Sequence, residues 1–278
     1  MNIPGLVEFA DALPLWRGPL LPLVALAWPL LIGALAALPP LRPRALGLLP
    51  LAPLPALWLA LAPPTEAVTS VPALLRGGQL ELDAAGRALL GMTAAPWLAA
   101  GVYAAAYMTA PRKPAIFSGF WGLTLAGNLG VFLAADAVTF YVAFAAVSLA
   151  SYFLVVHEGT REALRASRVY MVLAILGEAM LLIGFVLVMA GADATAIPAM
   201  REALAGDAMT PALRALAVGL LIAGFGIKAG LMPLHLWLPL AHPAAPTPAS
   251  AVLSGAIVKA GLIGVMRFLP EGDAITGS

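Results

Sequence analysis

Three ionisable side chains stand where this chain otherwise keeps every position apolar. Glu178 lies in "YMVLAILGEAMLLIGFVLV" (170–188), Lys228 in "GFGIKAGLMPLHLWLP" (224–239) and Lys259 in "AVLSGAIVKAGLIGVM" (251–266). The chain has three lysines, and only Lys113 falls outside such a run; of its 14 acidic residues only Glu178 is deep within one. An ionisable group at the centre of a bilayer costs at least about 2.5–3.5 kcal/mol, so each of the three asks for a reason. One reason is structural: an ion pair, or a lysine whose stem reaches the interface. The other is a proton or ion path. Burial weakens the charged form of a lone amine or carboxyl, and placing the two together restores it, so moving a distant charge would switch protonation. Lys259 sits too near mid-run to reach an interface. Lys228 is followed by Pro233, which removes a backbone hydrogen bond and breaks the helix. Broken helices at membrane depth occur only inside protein or beside a water-filled cavity.

The neighbouring polar residues fit either reading. His235 and His242 flank Pro239, and the ordinary titration of imidazole near neutral pH suits a relay. A lone histidine is more often a hydrogen-bonding group, and no third ligand at matching spacing argues for metal. Thr247, Ser250 and Ser254 either give hydroxyls to a wet interior or pack closely as small residues. His157 reads as interfacial. No phosphate loop, nucleophile elbow, zinc-binding His–Glu motif or dinucleotide fingerprint occurs, so no cofactor, no metal and no catalytic residue are expected. Without cysteine there are no disulfides, iron–sulfur clusters or thiolate sites, and no basic cluster suggests nucleic acid.

The elements that must position these residues are membrane helices. The 278 residues are 62% hydrophobic and 10% charged, against about 25% charged in soluble domains. The apolar runs do not alternate as barrel strands would. Eight spans are expected, near 18–38, 45–62, 88–109, 115–134, 137–156, 169–190, 212–239 with a break near Pro233, and 249–268. The polar segment 63–87, the charged loop 157–168 and the stretch 191–211 read as connections, and Asp136 marks a short turn. Loops after the odd spans carry Arg42 and Arg44, Arg112 and Lys113, then Arg161, Arg165 and Arg168. Those after the even spans carry Arg76 and Arg87, none, then Arg201 and Arg214. The positive-inside rule then places the N-terminus outside a bacterial-type plasma membrane, the odd loops inside and the C-terminus outside. No basic region precedes the first apolar run, so a cleavable leader is not expected.

The stretch "KAGLMPLHLWLPLAHPAAPTPASAVLSGAIVKAGLIGVMRF" (228–268) closely resembles the proton-conducting antiporter-like subunits of respiratory complex I, multisubunit Na+/H+ antiporters and membrane-bound hydrogenases. The shared pattern is Lys228, Pro233, His235, "WLP" (237–239), His242, "APTPAS" (245–250), "SG" (254–255), Lys259 and Arg267, and it continues more weakly into 132–152. The resemblance implies one five-helix repeat with a broken helix over 113–268. A three-helix region with the polar outer loop 63–87 precedes it over 1–112, and a tail follows at 269–278. Lys228 would be the switching lysine and Lys259 the next station. Two departures matter. The glutamate that the family places before its small-x-x-Ser-Tyr pattern is replaced in "FAAVSLASY" (144–152) by Ala145, which leaves Glu178, one span later, as the candidate acidic partner. That is closer to a hydrogenase-4-type branch than to the core complex I subunits. The inverted second repeat of the family is also absent from this sequence, so either the chain is a fragment or a partner supplies that half.

The expected function is a proton-translocating membrane subunit of a multisubunit, oxidoreductase-type complex, with Glu178, Lys228 and Lys259 as relay and His235 and His242 assisting. The alternatives are a Na+/H+ antiporter subunit and a non-pumping scaffold for a soluble partner, including one in inorganic-carbon uptake. Other membrane subunits and the lipid bilayer are the expected partners, and no quinone site is assigned.

Overall fold

The computed structural model describes residues 20–62, 68–71, 77–108 and 113–270. Outside them lie the start of the first expected span and the N-terminus, 63–67 and 72–76 of the polar connection with Arg76, residues 109–112 with Arg112, and the tail from 271. The chain runs α1 (Leu21–Leu35), α2 (Arg42–Leu48), a 3₁₀ turn (Leu49–Leu51), α3 (Leu54–Leu61), β1 (Val68–Val71), β2 (Gly78–Glu81), α4 (Ala84–Tyr107) and α5 (Pro114–Leu133). Then follow α6 (Ala137–Val155), α7 (Arg161–Ala192), α8 (Ile197–Ala205) and α9 (Pro211–Ala229). A 3₁₀ turn (Leu234–Trp237), α10 (Leu238–Ala244), α11 (Thr247–Val252), a π turn (Leu253–Ile257) and α12 (Lys259–Phe268) complete it.

Among the described residues, seven helical runs are long and apolar enough to cross a membrane, and they fall on the second to eighth expected spans. α1, at the first, has 15 residues, about 22 Å at 1.5 Å per residue and short of a hydrocarbon core of about 30 Å. Three expected connections are structured instead. The charged loop 157–168 becomes helix from Arg161, because the Thr160 side chain caps the Ala163 N–H at 3.1 Å and Glu162 sits in the positive first turn. The stretch 191–211 contains α8, whose Ile197, Met200, Ala203 and Leu204 share a buried face at helical spacing. Part of the polar connection 63–87 forms an antiparallel hairpin, with Val68 opposite Glu81 and Val71 opposite Gly78.

That hairpin is fastened to the helices by one carboxylate. Asp136 caps α6 by accepting from Val138 N (3.0 Å), Thr139 N (2.9 Å) and the Thr139 hydroxyl (2.6 Å). Its second oxygen accepts the Gln79 N–H of β2 at 2.9 Å, and the Ala135 N–H returns a bond to Gln79 O. Ala137 N–H donates to Thr195 O and Ile197 N–H to Ala135 O, which ties the start of α8 to the same corner. All of these bonds but the Thr139 hydroxyl's satisfy backbone groups that burial would otherwise leave unmet.

α5 is the most buried of the spans and packs between α1, α4 and α6. A side chain at Gly122 would overlap the Pro29 carbonyl of α1, so the glycine is what allows that approach. Phe140, Phe144, Phe185, Phe225 and Phe268 bring α6, α7, α9 and α12 together, with ring centroids 4.6 to 6.2 Å apart.

Arg267 joins the helices of the two ends of the sequence. Its guanidinium is buried and donates to Asp83 Oδ1 (2.8 Å) and Oδ2 (3.1 Å), and to the carbonyls of Val131 (3.3 Å), Phe132 (2.8 Å) and Ala134 (2.9 Å). Asp83 caps α4 through the Gly86 N–H at 2.5 Å, and the carbonyls belong to the last turn of α5, where a cation is favoured. One side chain thus closes α4, α5 and α12. Breaking such a buried charged network costs about 3–5 kcal/mol when the charge left behind is unpaired. Arg267→Met is expected to lower the thermal midpoint in detergent by more than Asp83→Asn. The half-exposed Asp83 is one of four residues the arginine bonds, and its loss leaves the three α5 carbonyls still bound, whereas Arg267 serves every group in the latch. Equal midpoints for the two variants would refute the ranking.

Candidate functional site

α9 ends one residue beyond Lys228. Gly230 takes φ 73°, a left-handed conformation in which a side chain would overlap Leu238, and its N–H bonds back to Gly226 and Ile227 carbonyls. The Leu231 N–H then reaches Gly226 O at 2.8 Å. The helix therefore breaks at Gly230, three residues ahead of Pro233, which lies in the connecting turn. Of the carbonyls the break frees, Ile227 O receives the Trp237 indole N–H at 2.7 Å. Lys228 is left in the last turn of a broken helix, 4% exposed, at the end where a positive charge is stabilised.

Its ammonium is held by hydroxyls. Lys228 Nζ donates to Ser148 Oγ of α6 at 2.8 Å and to Tyr170 Oη of α7 at 3.0 Å. Tyr170 Oη is 2.6 Å from Ser151 Oγ and donates to the Ser148 carbonyl at 3.2 Å. The Phe144 and Tyr170 rings stand 5.6 and 5.5 Å from the nitrogen, within range of cation–π attraction. Glu178, two turns along α7 from Tyr170, is 9% exposed. Its carboxylate is near enough to interact with the Ser148 hydroxyl, Lys228 and Tyr141, yet Oε1 has no hydrogen-bond partner and no direct ion pair joins it to the lysine. Glu178 thus lies near Lys228 and Ser148, while the Ser148 hydroxyl itself donates to the Phe144 carbonyl at 3.2 Å. Ala145, where the family pattern expects the acid, lies one turn before Ser148 on the same helix.

The remaining expected residues are elsewhere. His242 on α10 bonds through Nδ1 to Ser250 Oγ on α11 at 3.1 Å. His235 stands in the 3₁₀ turn with a buried, unpartnered Nδ1. Lys259, half-buried, donates to the Gly255 carbonyl of its own π turn. Ser254 is exposed and bonds to Ser250 and Ala251 carbonyls of its own helix, and Thr247 is exposed. His157 stacks edge-on against Phe117 at 5.3 Å. The hydrogen bonds of Lys228 and those of Lys259 share no residue. Among the described residues no group of three or more His, Asp or Glu could hold a metal.

Ser148, Ser151 and Tyr170 build the hydroxyl cluster around Lys228, and sequence reasoning misses them. The signal is present in "SLASY" (148–152), two hydroxyls three residues apart on one helical face, and in the lone tyrosine opening an apolar run.

A helical multi-pass membrane protein with a lysine buried at a helix break is the class this fold and site define. The transmembrane family model described as "NADH:quinone oxidoreductase/Mrp antiporter, TM" matches residues 134–274, and the chain belongs to that family. Hydrogenase-4 component B of Escherichia coli is 34% identical over 158 residues, covering 57% of this chain and 23% of that protein. A Na(+)/H(+) antiporter subunit of Bacillus subtilis is 31% identical over 175 residues, covering 63% of this chain and 35% of that one. The solved Mrp complex from Dietzia sp. superposes with a TM-score of 0.77 at 26% identity, over 90% of this chain and 28% of the matched one. The chain therefore spans about a quarter to a third of the length of these relatives.

The break gives a paired prediction. Gly230→Ala forces a side chain into a left-handed conformation, a cost of about 1–2 kcal/mol before any overlap with Leu238, and is expected to lower the thermal midpoint and change Trp237 fluorescence. Gly219→Ala, in α9 with open space around it, is expected to leave the midpoint unchanged or raised. The same response from both would show that the Gly230 conformation contributes nothing.

Proposed function

We propose that this chain is a proton-translocating membrane subunit of a multisubunit complex, with Lys228 as its switching group and Glu178 as the acid that works with it. The observation that carries this is the buried pair around one serine: the Lys228 ammonium donates to Ser148 Oγ, and the Glu178 carboxylate, with one oxygen unpartnered, lies near the same hydroxyl. A hydroxyl both accepts and donates. Transfer would proceed once the Ser148 hydroxyl turns from the Phe144 carbonyl to Glu178: Lys228 gives a proton to Ser148 Oγ while the Ser148 hydroxyl proton passes to a Glu178 oxygen. The lysine ends as a neutral amine and the glutamate as a carboxylic acid. The reverse step restores both charges. A structural ion pair would instead bring the two charges into direct contact, which is how buried pairs offset desolvation.

On this reading α5 to α12 are one five-helix repeat with α9 to α10 as its broken span. Lys259 is a later station, reached by water or by rotation of its stem, and His235, His242 and Ser250 assist at the break. The second half-path comes from a further polypeptide segment, continuous with this chain or separate, and the driving energy from other subunits. The N-terminus faces outward across the plasma membrane.

Proton uptake into proteoliposomes holding the assembled complex tests this. Lys228→Ala and Glu178→Gln are each expected to reduce uptake at least about tenfold, which is about 1.4 kcal/mol in barrier, with Ser148→Ala reducing it comparably. Full uptake in Lys228→Ala with the complex intact would make the chain a scaffold. Loss in Lys228→Ala with none in Glu178→Gln would place the acidic partner on another chain. Uptake that requires sodium would assign the antiporter activity instead.

A further inference from the structure

A second polar cluster lies away from Lys228, between α4 and α5. Thr93, Trp97, Ser118, Trp121 and Asn128 are all fully buried, at 0% exposure. The Trp97 indole N–H donates to Asn128 Oδ1 at 3.1 Å, and the two indoles meet edge to face at 4.6 Å. The rest of the cluster is unmatched: Thr93 Oγ1, Ser118 Oγ, Trp121 Nε1 and Asn128 Nδ2 have no hydrogen-bond partner. Four of the seven such atoms among the described residues belong to this one seam. Ser118, Trp121 and Asn128 follow at spacings of three and seven along one face of α5, a rise of about 15 Å, half the hydrocarbon thickness.

Each unmet buried polar group carries a desolvation cost, and side chains that merely filled space would be apolar. The chemistry of the four atoms narrows what meets them. An indole N–H and an amide N–H₂ only donate, so they cannot coordinate a cation. No cationic side chain stands in the cluster to hold an anion. The two hydroxyls both accept and donate. Small neutral molecules that both accept and donate match the set, and more than one is needed because Ser118 and Asn128 lie about 15 Å apart along α5.

We propose that the α4–α5 seam is an internal water-binding site, its waters accepting from Trp121 Nε1 and Asn128 Nδ2 and donating to Thr93 Oγ1 and Ser118 Oγ. Pro96 of α4, one residue before Trp97, packs against Gly255, whose carbonyl receives Lys259. α4 therefore joins the seam to the π turn whose carbonyl receives the half-buried Lys259, away from the hydroxyls that hold Lys228. This site stands on the seam's own residues and does not depend on the proton-transfer reading of Lys228.

Radiolytic hydroxyl labelling in ¹⁸O water, read by mass spectrometry on the full chain in nanodiscs, tests it. Bound water is expected to label Trp97 and Trp121 several-fold above Trp237, which is equally buried but has its N–H satisfied by Ile227 O. The Thr93→Val, Ser118→Ala double variant is expected to lose that excess and to melt a few degrees lower. Labelling of Trp97 and Trp121 at the Trp237 level would overturn the site. So would a double variant that melts higher, because a dry seam gains stability when orphaned hydroxyls become apolar. An excess that persists in the double variant would equally overturn it, since those hydroxyls would not hold the label source.

Discussion

The Lys228 ammonium needs a substitute for water, and the structure around it is arranged to provide one. Three donor hydrogens are met in part by Ser148 and Tyr170 hydroxyls and in part by the faces of Phe144 and Tyr170. Those groups come from α6 and α7, so the lysine requires both helices beside α9 and the end of α9 between them. The phenylalanine cluster holds α6, α7, α9 and α12 at that distance, and Gly230 ends α9 immediately after the lysine's turn. A lysine one turn earlier would face an uninterrupted helix, with neither the freed carbonyls nor the favourable C-terminal field.

The same accounting recurs at several helix ends. Backbone groups have no water to turn to in hydrocarbon, and at these termini a side chain or a tight turn takes its place. Asp136 closes α6 and anchors the hairpin, Thr160 opens α7, Gly230 and Trp237 close α9, and Arg267 closes α5 while pairing with the cap of α4. The polar residues that a membrane chain retains are thus mostly occupied with its own backbone. Glu178 Oε1, His235 Nδ1 and the α4–α5 seam stand apart because they are not.

This division explains what can be read in advance. Spans are legible because length and hydropathy act locally, and the second to eighth expected spans each fall on a helical run. Lys228 and Glu178 are legible because charge in an apolar run has a cost visible without any fold. Ser148, Ser151 and Tyr170 are not, since hydroxyls are tolerated in membrane helices and gain meaning only when a lysine 80 residues away points at them. The Arg267–Asp83 pair, separated by 184 residues, is hidden for the same reason. α8 and the hairpin read as polar connections because their order comes from docking on the Asp136 corner rather than from hydrophobic runs. Pro233 is the stronger helix breaker by residue type, yet Gly230 stops the helix first by offering a left-handed cap.

The position of Glu178 bears on how an acidic partner could change helices. Ala145 and Ser148 are one turn apart on α6, so an acid at 145 would approach the lysine along α6, beside the serine. Glu178 approaches from α7 and lies near the same serine. On the proposed reading, what the two placements share is proximity to one hydroxyl, not a particular helix. A carboxylate on α7 also lies on the helix that supplies Tyr170, so a shift of α7 would move the acid and one lysine ligand together. With the acid on α6, the ligand Ser148 would move with it instead. On the proposed reading, placing the acid at Glu178 rather than at position 145 changes which helix carries the charge together with a lysine ligand, from α6 with Ser148 to α7 with Tyr170.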